Sequence, residues 1–201
     1  MSTTLFQPIS ENKITEHIYK TGIPGLFFLE NKVCDDERGF FREVGHTPEL
    51  NAVLDFEFEI KQINHARSYK KVVRGMHAEY WNKLITVTQG TIYSAFVDIR
   101  PDSETFGKVE YIQLGENGLK GAIFISKGIA NSVCVVDDPV DYLYFVDALY
   151  KDRDVTKDKE FSLFDPDVKI EWPVPKEQMV ISERDQNAPS LRTLFPDRFG
   201  R

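Results

Sequence analysis

The chain has 201 residues and suits one domain spanning 1–201, with 41% hydrophobic and 28% charged residues, so a packed core is expected and wholesale disorder is not. Its net charge of −7 argues against non-specific nucleic-acid binding, which depends on neutralising phosphates with Lys and Arg. No apolar run approaches a membrane span and no apolar segment follows a basic start, so a cytoplasmic protein without membrane contact is expected.

Residues 1–20 are polar and read as an N-terminal arm. Leu26–Glu30 is a short apolar strand candidate, followed by turn-rich Asp35–Gly39. Thr47 before Pro48 suggests the N-cap of a short helix over Thr47–Leu54. Phe56–Asn64 alternates with period two, placing Phe56, Phe58 and Ile60 on one face that Gln62 and Asn64 continue. An apolar face that turns polar at one end suits the interior of a ligand-holding barrel.

Further strands are predicted over Leu84–Thr88, Thr91–Ile99, Lys108–Leu114, Gly121–Ser126, Ser132–Val136 and Asp141–Val146. Turn signals separate them, among them Gln89-Gly90 and Asp137-Asp138-Pro139. Many short strands at this spacing indicate a mainly β fold, a jelly-roll barrel. From about Asp152 the pattern is mixed and proline-rich, with a short helix expected near Phe161–Phe164 and the segment 152–201 packing on the barrel. Cys34 and Cys134 have neither metal-ligand spacing nor a disulfide framework, so two buried, reduced thiols are expected.

Of the four histidines, only His77 has a distinctive setting, Arg74-Gly75-Met76-His77 with Lys83 soon after. A base beside two cations can handle an anionic substrate and stabilise an oxyanion. A lone histidine is more often structural, so the neighbouring cations carry this reading. His77-Ala78-Glu79 lacks a second histidine, and none follows His77 in the chain, which falls short of a usual metal-ligand set. The aromatic cluster Tyr142, Tyr144, Phe145 and Tyr150 reads mostly as packing, although one buried tyrosine there could act as a general acid. Sequence spacing alone does not bring Asp185, in Ser182-Glu183-Arg184-Asp185, to His77.

In chain order, these pieces resemble the RmlC-like dTDP-4-dehydrorhamnose 3,5-epimerase family. Asp36-Glu37-Arg38-Gly39-Phe40-Phe41-Arg42-Glu43 is similar to the D-x-R-G-x-F-x-E block, and Gln62-Ile63-Asn64 to Q-x-N. Arg74-Gly75-Met76-His77 matches R-G-[LM]-H, and Val97-Asp98-Ile99-Arg100 with Ser103 to Gly107 matches V-D-[IL]-R…S-x-T-[FY]-G. Ile170-Glu171-Trp172-Pro173 and Ile181 to Asp185 resemble I-x-W-P and [LI]-S-x-[KR]-D. Any one piece is weak; their shared order is specific.

The resemblance implies a cupin-type barrel that works without metal or other cofactor on a nucleotide-sugar substrate, as a homodimer with exchanged N-terminal strands. It implies His77 as base, Asp185 as its orienting acid, Lys83 as the following lysine and Tyr144 as acid. It places Arg38, Phe41, Glu43, Gln62 and Asn64 at the nucleotide or its diphosphate, and Arg74 keeps its place as a substrate-binding residue. The implied activity is inversion at C3, C5 or both of a nucleotide-linked 4-keto sugar.

The chain departs from the family pattern in three features, one of them Leu149 where a tyrosine often stands just beyond the acid strand. The usual H-[YF]-Q is His77-Ala78-Glu79, and a pocket histidine is replaced by Asn131, which is retained as a substrate-binding candidate. A 3,4-ketoisomerase of a nucleotide-linked 4-keto sugar and a non-catalytic sugar-nucleotide binder are the alternatives. The first usually has a His-rich strand absent here; the second does not need base, acid, Lys and Tyr together.

Overall fold

The computed structural model describes residues 3–200. Its strands are β1 (Ile18–Lys20), β2 (Leu26–Glu30), β3 (Val33–Asp36), β4 (Gly39–Arg42), β5 (Gln62–Ser68), β6 (Val73–Ala78), β7 (Lys83–Asp98), β8 (Val109–Gly115), β9 (Gly121–Ile125), β10 (Ile129–Val146) and β11 (Lys159–Glu160). The α-helices are short: α1 (Thr47–Asn51), α2 (Glu183–Gln186) and α3 (Leu191–Leu194). Among the described residues, no helix is long and apolar enough to cross a membrane.

The strands pair antiparallel in the order β1-β2-β9-β7-β10-β6-β11, with β5 also on β10 and β8 also on β7. The first half of β7 pairs with β9 and its second half with β8. The first half of β10 pairs with β6 and its second half with β5. Two long bent strands thus serve both faces of a mainly β jelly roll. β3 and β4 form a separate hairpin outside this sheet.

Period-two alternation divides the apolar residues among three clusters. Phe28, Ile85, Val87, Ile92, Phe96, Ile123, Val133 and Val135 belong to the largest, between the two faces. Val73, Met76, Ala78, Tyr93, Ala95 and Val97 turn the other way, against Phe161, Leu163, Ile170 and Leu191 of the C-terminal segment. Leu84, Ala122 and Phe124 pack on the opposite outer side with Leu50 of α1 and Phe58. Phe161, Leu163, Ile170 and Leu191 of the C-terminal segment therefore cover the second face.

Several expectations change. Gln89-Gly90 does not end a strand: β7 runs through it, with Gly90 at φ +74°. A Cβ there would lie 2.5 Å from both the Asp137 and Pro139 carbonyl oxygens, so glycine allows the two bent strands to cross closely. Asp137-Asp138-Pro139 is likewise a corner within β10, where the register with β7 shifts. Turn chemistry marks a bend here because both flanking halves keep their ladder partners.

The strand expected over Phe56–Asn64 begins only at Gln62. Phe58 leaves the alternation and packs edge-on against Phe124, ring centroids 5.1 Å apart, on the outer side of the fold. The predicted helix is shorter, with His46 rather than Thr47 as N-cap, and Phe161–Phe164 is a turn without helix. Within the expected arm, Phe6 is buried, its N–H bonds to the Tyr111 carbonyl, and β1 pairs with β2. Cys134 is buried, but Cys34 is exposed on β3 and corrects the expectation of two buried thiols; both are free.

Candidate active site

A bulge on β6 aims two functional side chains the same way. Asn131 of β10 stands opposite His77, and Val133 stands opposite Arg74. Two steps along β10 thus match three along β6, so β6 carries one extra residue. That extra residue allows Arg74 and His77, of opposite strand parity, to line one cavity. Gly75 lies between them at φ +139°, and a Cβ there would meet the Ser132 Cβ at 2.9 Å. Glycine is what this close approach admits.

The cavity holds about 220 Å³ and opens between the two faces. β7 supplies Lys83 and Ile85 at alternate positions, and β10 supplies Asn131 and Val133, then Tyr142 and Tyr144 beyond its corner. Arg74, His77, Glu79 and Arg184 complete the lining.

Asp185 arrives from the far end of the chain. Val180 forms a parallel bridge with Val72 and accepts the Val73 N–H, tying the C-terminal segment to the start of β6. The Ser182 hydroxyl oxygen then accepts the Asp185 N–H at the start of α2. Asp185 Oδ1 lies 2.8 Å from His77 Nε2, and Oδ2 accepts the Gly75 N–H at 3.3 Å. Burial pushes the Asp185 carboxyl up, but the hydrogen bond and charge of His77 and the Gly75 N–H outweigh it and bring it to about 2. The carboxylate is thus ionised at neutral pH. With Nε2–H donating to that carboxylate, Nδ1 is the basic nitrogen, and the Arg184 guanidinium, itself only a donor, then abuts Nε2 without a hydrogen bond.

Burial raises the Tyr144 phenol above its ordinary value, and the negative charge of Glu79 adds to this. Burial likewise pushes Tyr142 up to about 12. Both phenols therefore carry their protons at neutral pH and can donate them. Arg74 has no carboxylate partner among the described residues; its Nε donates to Ser68 Oγ at 3.0 Å. An unpaired guanidinium at a cavity mouth suits an anionic ligand.

Arg184 was missed by residue-level reading, although it lies in the quoted Ser182–Asp185 motif. Its guanidinium touches His77 Nε2 and lies 3.0 Å from Glu160 Oε2 and 3.3 Å from Asp185 Oδ1. His77, Glu160 and Asp185 offer ligand atoms within 4.8 Å of one another, and this guanidinium engages all three. Tyr142, read from the sequence only as one of the aromatic cluster, lines the cavity beside Tyr144, two residues along the same strand face. Glu79, dismissed above as a metal ligand, also lines the cavity.

The other sequence-derived residues divide. Gln62 and Asn64 stand on β5 beside this cavity, opposite Val146 and Tyr144. Gln62 Nε2 donates to Asn64 Oδ1 at 2.7 Å, while Asn64 Nδ2 is buried without an acceptor. Arg38, Phe41 and Glu43 do not join the cavity. They lie on or just after the β3–β4 hairpin, where Arg38 pairs with Asp36 and Glu43 with His46. The Phe41 ring is 66% exposed.

The chain is similar to known proteins over most of its length. The family model described as dTDP-4-dehydrorhamnose 3,5-epimerase matches residues 20–193. The "Protein RmlC homolog" of Streptococcus pyogenes is 32% identical, over 98% of this chain and 97% of its own. A crystal structure of the Legionella pneumophila RmlC in complex with dTDP-4-keto-L-rhamnose superposes with TM-score 0.79 at 29% identity, covering 90% of this chain and 95% of that one. ChmJ, a 3'-monoepimerase from Streptomyces bikiniensis solved with dTDP-quinovose, superposes with TM-score 0.79 at 25% identity, covering 88% of each chain. The chain belongs to the dTDP-4-dehydrorhamnose 3,5-epimerase family.

Proposed function

We propose that the protein epimerises a nucleotide-linked 4-keto sugar by removing and returning protons next to the ketone. The observation that carries this is the His77–Asp185 pair, 2.8 Å apart, in one cavity with Lys83 and a raised-pKa Tyr144. The 4-keto group acidifies the C–H bonds at C3 and C5. His77 Nδ1 takes one such proton while Asp185 holds the opposite ring nitrogen and stabilises the imidazolium. The C–H electron pair moves onto the carbonyl oxygen, and the Lys83 ammonium stabilises the resulting enolate. Tyr144 delivers its proton to the opposite face of the carbon, inverting the centre. His77 then loses its proton and Tyr144 regains one through water, restoring the starting state.

Arg74 would hold the nucleotide's diphosphate, with Gln62, Asn64 and Asn131 around the sugar and its linkage. Arg38, Phe41 and Glu43 would reach a nucleotide in the partner subunit of a homodimer with exchanged N-terminal strands. Their exposure beside Phe40, 62% exposed, supports this reading. A cytoplasmic location fits an enzyme whose substrate is a nucleotide sugar.

The test is deuterium wash-in followed by NMR, with purified protein in D₂O and dTDP-, GDP- and CDP-linked 4-keto-6-deoxy sugars. Exchange at C3, C5 or both, lost in His77→Ala, is expected and fixes nucleotide and regiochemistry together. Tight binding of a nucleotide sugar without any exchange would favour the non-catalytic binder.

A further inference from the structure

The two cavity positions at which the chain departs from the family pattern, Glu79 and Asn131, meet on one atom. Lys83 Nζ donates to Glu79 Oε2 and to Asn131 Oδ1. The lysine side chain is 5% exposed and begins β7, Glu79 follows β6, and Asn131 faces His77 from β10. Three elements therefore converge on a single ammonium. Burial raises the Glu79 carboxyl, but the charge and hydrogen bond of Lys83 outweigh this and hold it at about 2. Glu79 thus remains an anionic acceptor at neutral pH.

An ammonium has three N–H donors on a flexible four-carbon stem. Glu79 and Asn131 take two of them, leaving one for the cavity that Lys83 lines. We propose that Glu79 and Asn131 are positioning residues that fix the Lys83 ammonium so that its third N–H meets the enolate oxygen. This rests on the epimerase reading of the site. Neither residue need touch the reacting carbon. Both act by fixing the oxyanion donor before substrate arrives, so no reorganisation is required as charge develops. The two departures are then one coupled change: an amide oxygen where the family has a pocket histidine, and a carboxylate that closes the other side of the ammonium.

Glu79→Leu removes one acceptor and should lower kcat about 10- to 100-fold, with dTDP affinity unchanged within about threefold. Glu79→Gln keeps an acceptor at the same reach and should recover most of that loss. Asn131→Ala should also lower kcat and offers a second route if Glu79→Leu folds poorly. In a Lys83→Met background, Glu79→Leu should cost nothing further, because its effect passes through Lys83. Undiminished kcat in both Glu79→Leu and Asn131→Ala overturns the proposal. So does an undiminished Glu79→Leu penalty in the Lys83→Met background, which would assign Glu79 to the substrate or the fold. Crystal structures of Glu79→Leu and Asn131→Ala decide the matter without turnover: a displaced Lys83 ammonium supports positioning, and an unmoved one in both overturns it. If the wild-type protein exchanges no deuterium with any sugar, the epimerase reading has failed on its own, and those structures still judge the positioning claim.

Discussion

The cavity and the β3–β4 hairpin are built by opposite means. At the cavity, Asp185 and Lys83 are buried and, among the described residues, every charged side chain except Arg74 meets a partner of opposite charge or His77. On the hairpin, the Arg38 side chain is 85% exposed and Phe40 and Phe41 stand in solvent. One region is preorganised by strands that cross the whole fold; the other is a two-stranded ribbon outside the main sheet, tied to it where Arg42 donates to the Val87 carbonyl at 2.6 Å. Chemistry that must stabilise developing charge belongs in the first setting, where low dielectric and fixed dipoles act together. Grip on a nucleotide can be left to the second, provided another surface covers it.

That division is broken most directly at His77. His77→Ala should lower kcat about 10²–10⁴-fold while dTDP affinity stays close to wild type, and its melting temperature should fall at pH 7 because the buried Asp185 carboxylate loses its partner. A variant with wild-type turnover would remove the cavity from the mechanism.

Asp185→Asn is next, with an expected kcat loss toward the lower end of that range, since the imidazole keeps its place but loses its anionic partner. It also makes a pH-dependent stability claim. The native Asp185 carboxyl is brought down from its ordinary value to about 2. A depressed carboxylate contributes stability that is present above its unfolded pKa and lost as pH falls through the folded one. Asp185→Asn should therefore melt lower than wild type at pH 7, and the gap should close between about pH 4 and pH 2. Thermal melts of both proteins across that range check it; a gap that widens in acid would mean that the carboxylate is not stabilised by its native partners.

Strand parity, being local, made part of this arrangement legible: Tyr142 and Tyr144 follow period two within an expected strand. Lys83 and Asn131 each stand one residue before the strands expected at Leu84 and Ser132, and only the longer β7 and β10 put them in step with Ile85 and Val133. The R-G-x-H motif could be matched but not explained, since the bulge at Gly75 is visible only through its register with Asn131 and Val133. The His77–Asp185 contact spans 108 residues and depends on Val180 anchoring the tail to β6. Gly90 and Asp138-Pro139 read as turns because turn chemistry and a strand corner use the same residues. Phe56, Phe58 and Ile60 read as an interior face because their alternation is real, but Phe58 finds Phe124 and α1 outside the barrel. Arg38, Phe41 and Glu43 were found by motif alone: Glu43 lines a separate small pocket with His17, Asn31 and His46, and Arg38 and Phe41 stand exposed.

The hairpin half of the comparison is sharpened by kinetics at saturation. Phe41→Ala and Arg38→Ala should raise KM about tenfold and leave kcat nearly unchanged, as expected for groups that bind ground state and transition state alike. The Arg38 effect should shrink with added salt, since an exposed guanidinium is screened. A kcat collapse in either variant would place the hairpin in the chemical step.

The smallest effect separates the two regions by their thiols. Cys34 is exposed on β3, whereas burial pushes the Cys134 thiol up to about 12. Alkylation requires the thiolate and access to it, so a maleimide should label Cys34 quickly in the folded protein and Cys134 only on unfolding. Cys34→Ser should leave kcat and KM near wild type. The informative variable is protein concentration. If the hairpin crosses to a partner subunit, Cys34 labelling should slow as dilute monomer associates and slow again with saturating dTDP, while Cys134 labelling follows unfolding throughout. A Cys34 rate that ignores both concentration and dTDP, in protein shown by sedimentation to dimerise over the same range, would leave the hairpin outside the interface and return Arg38 and Phe41 to an ordinary solvated ribbon.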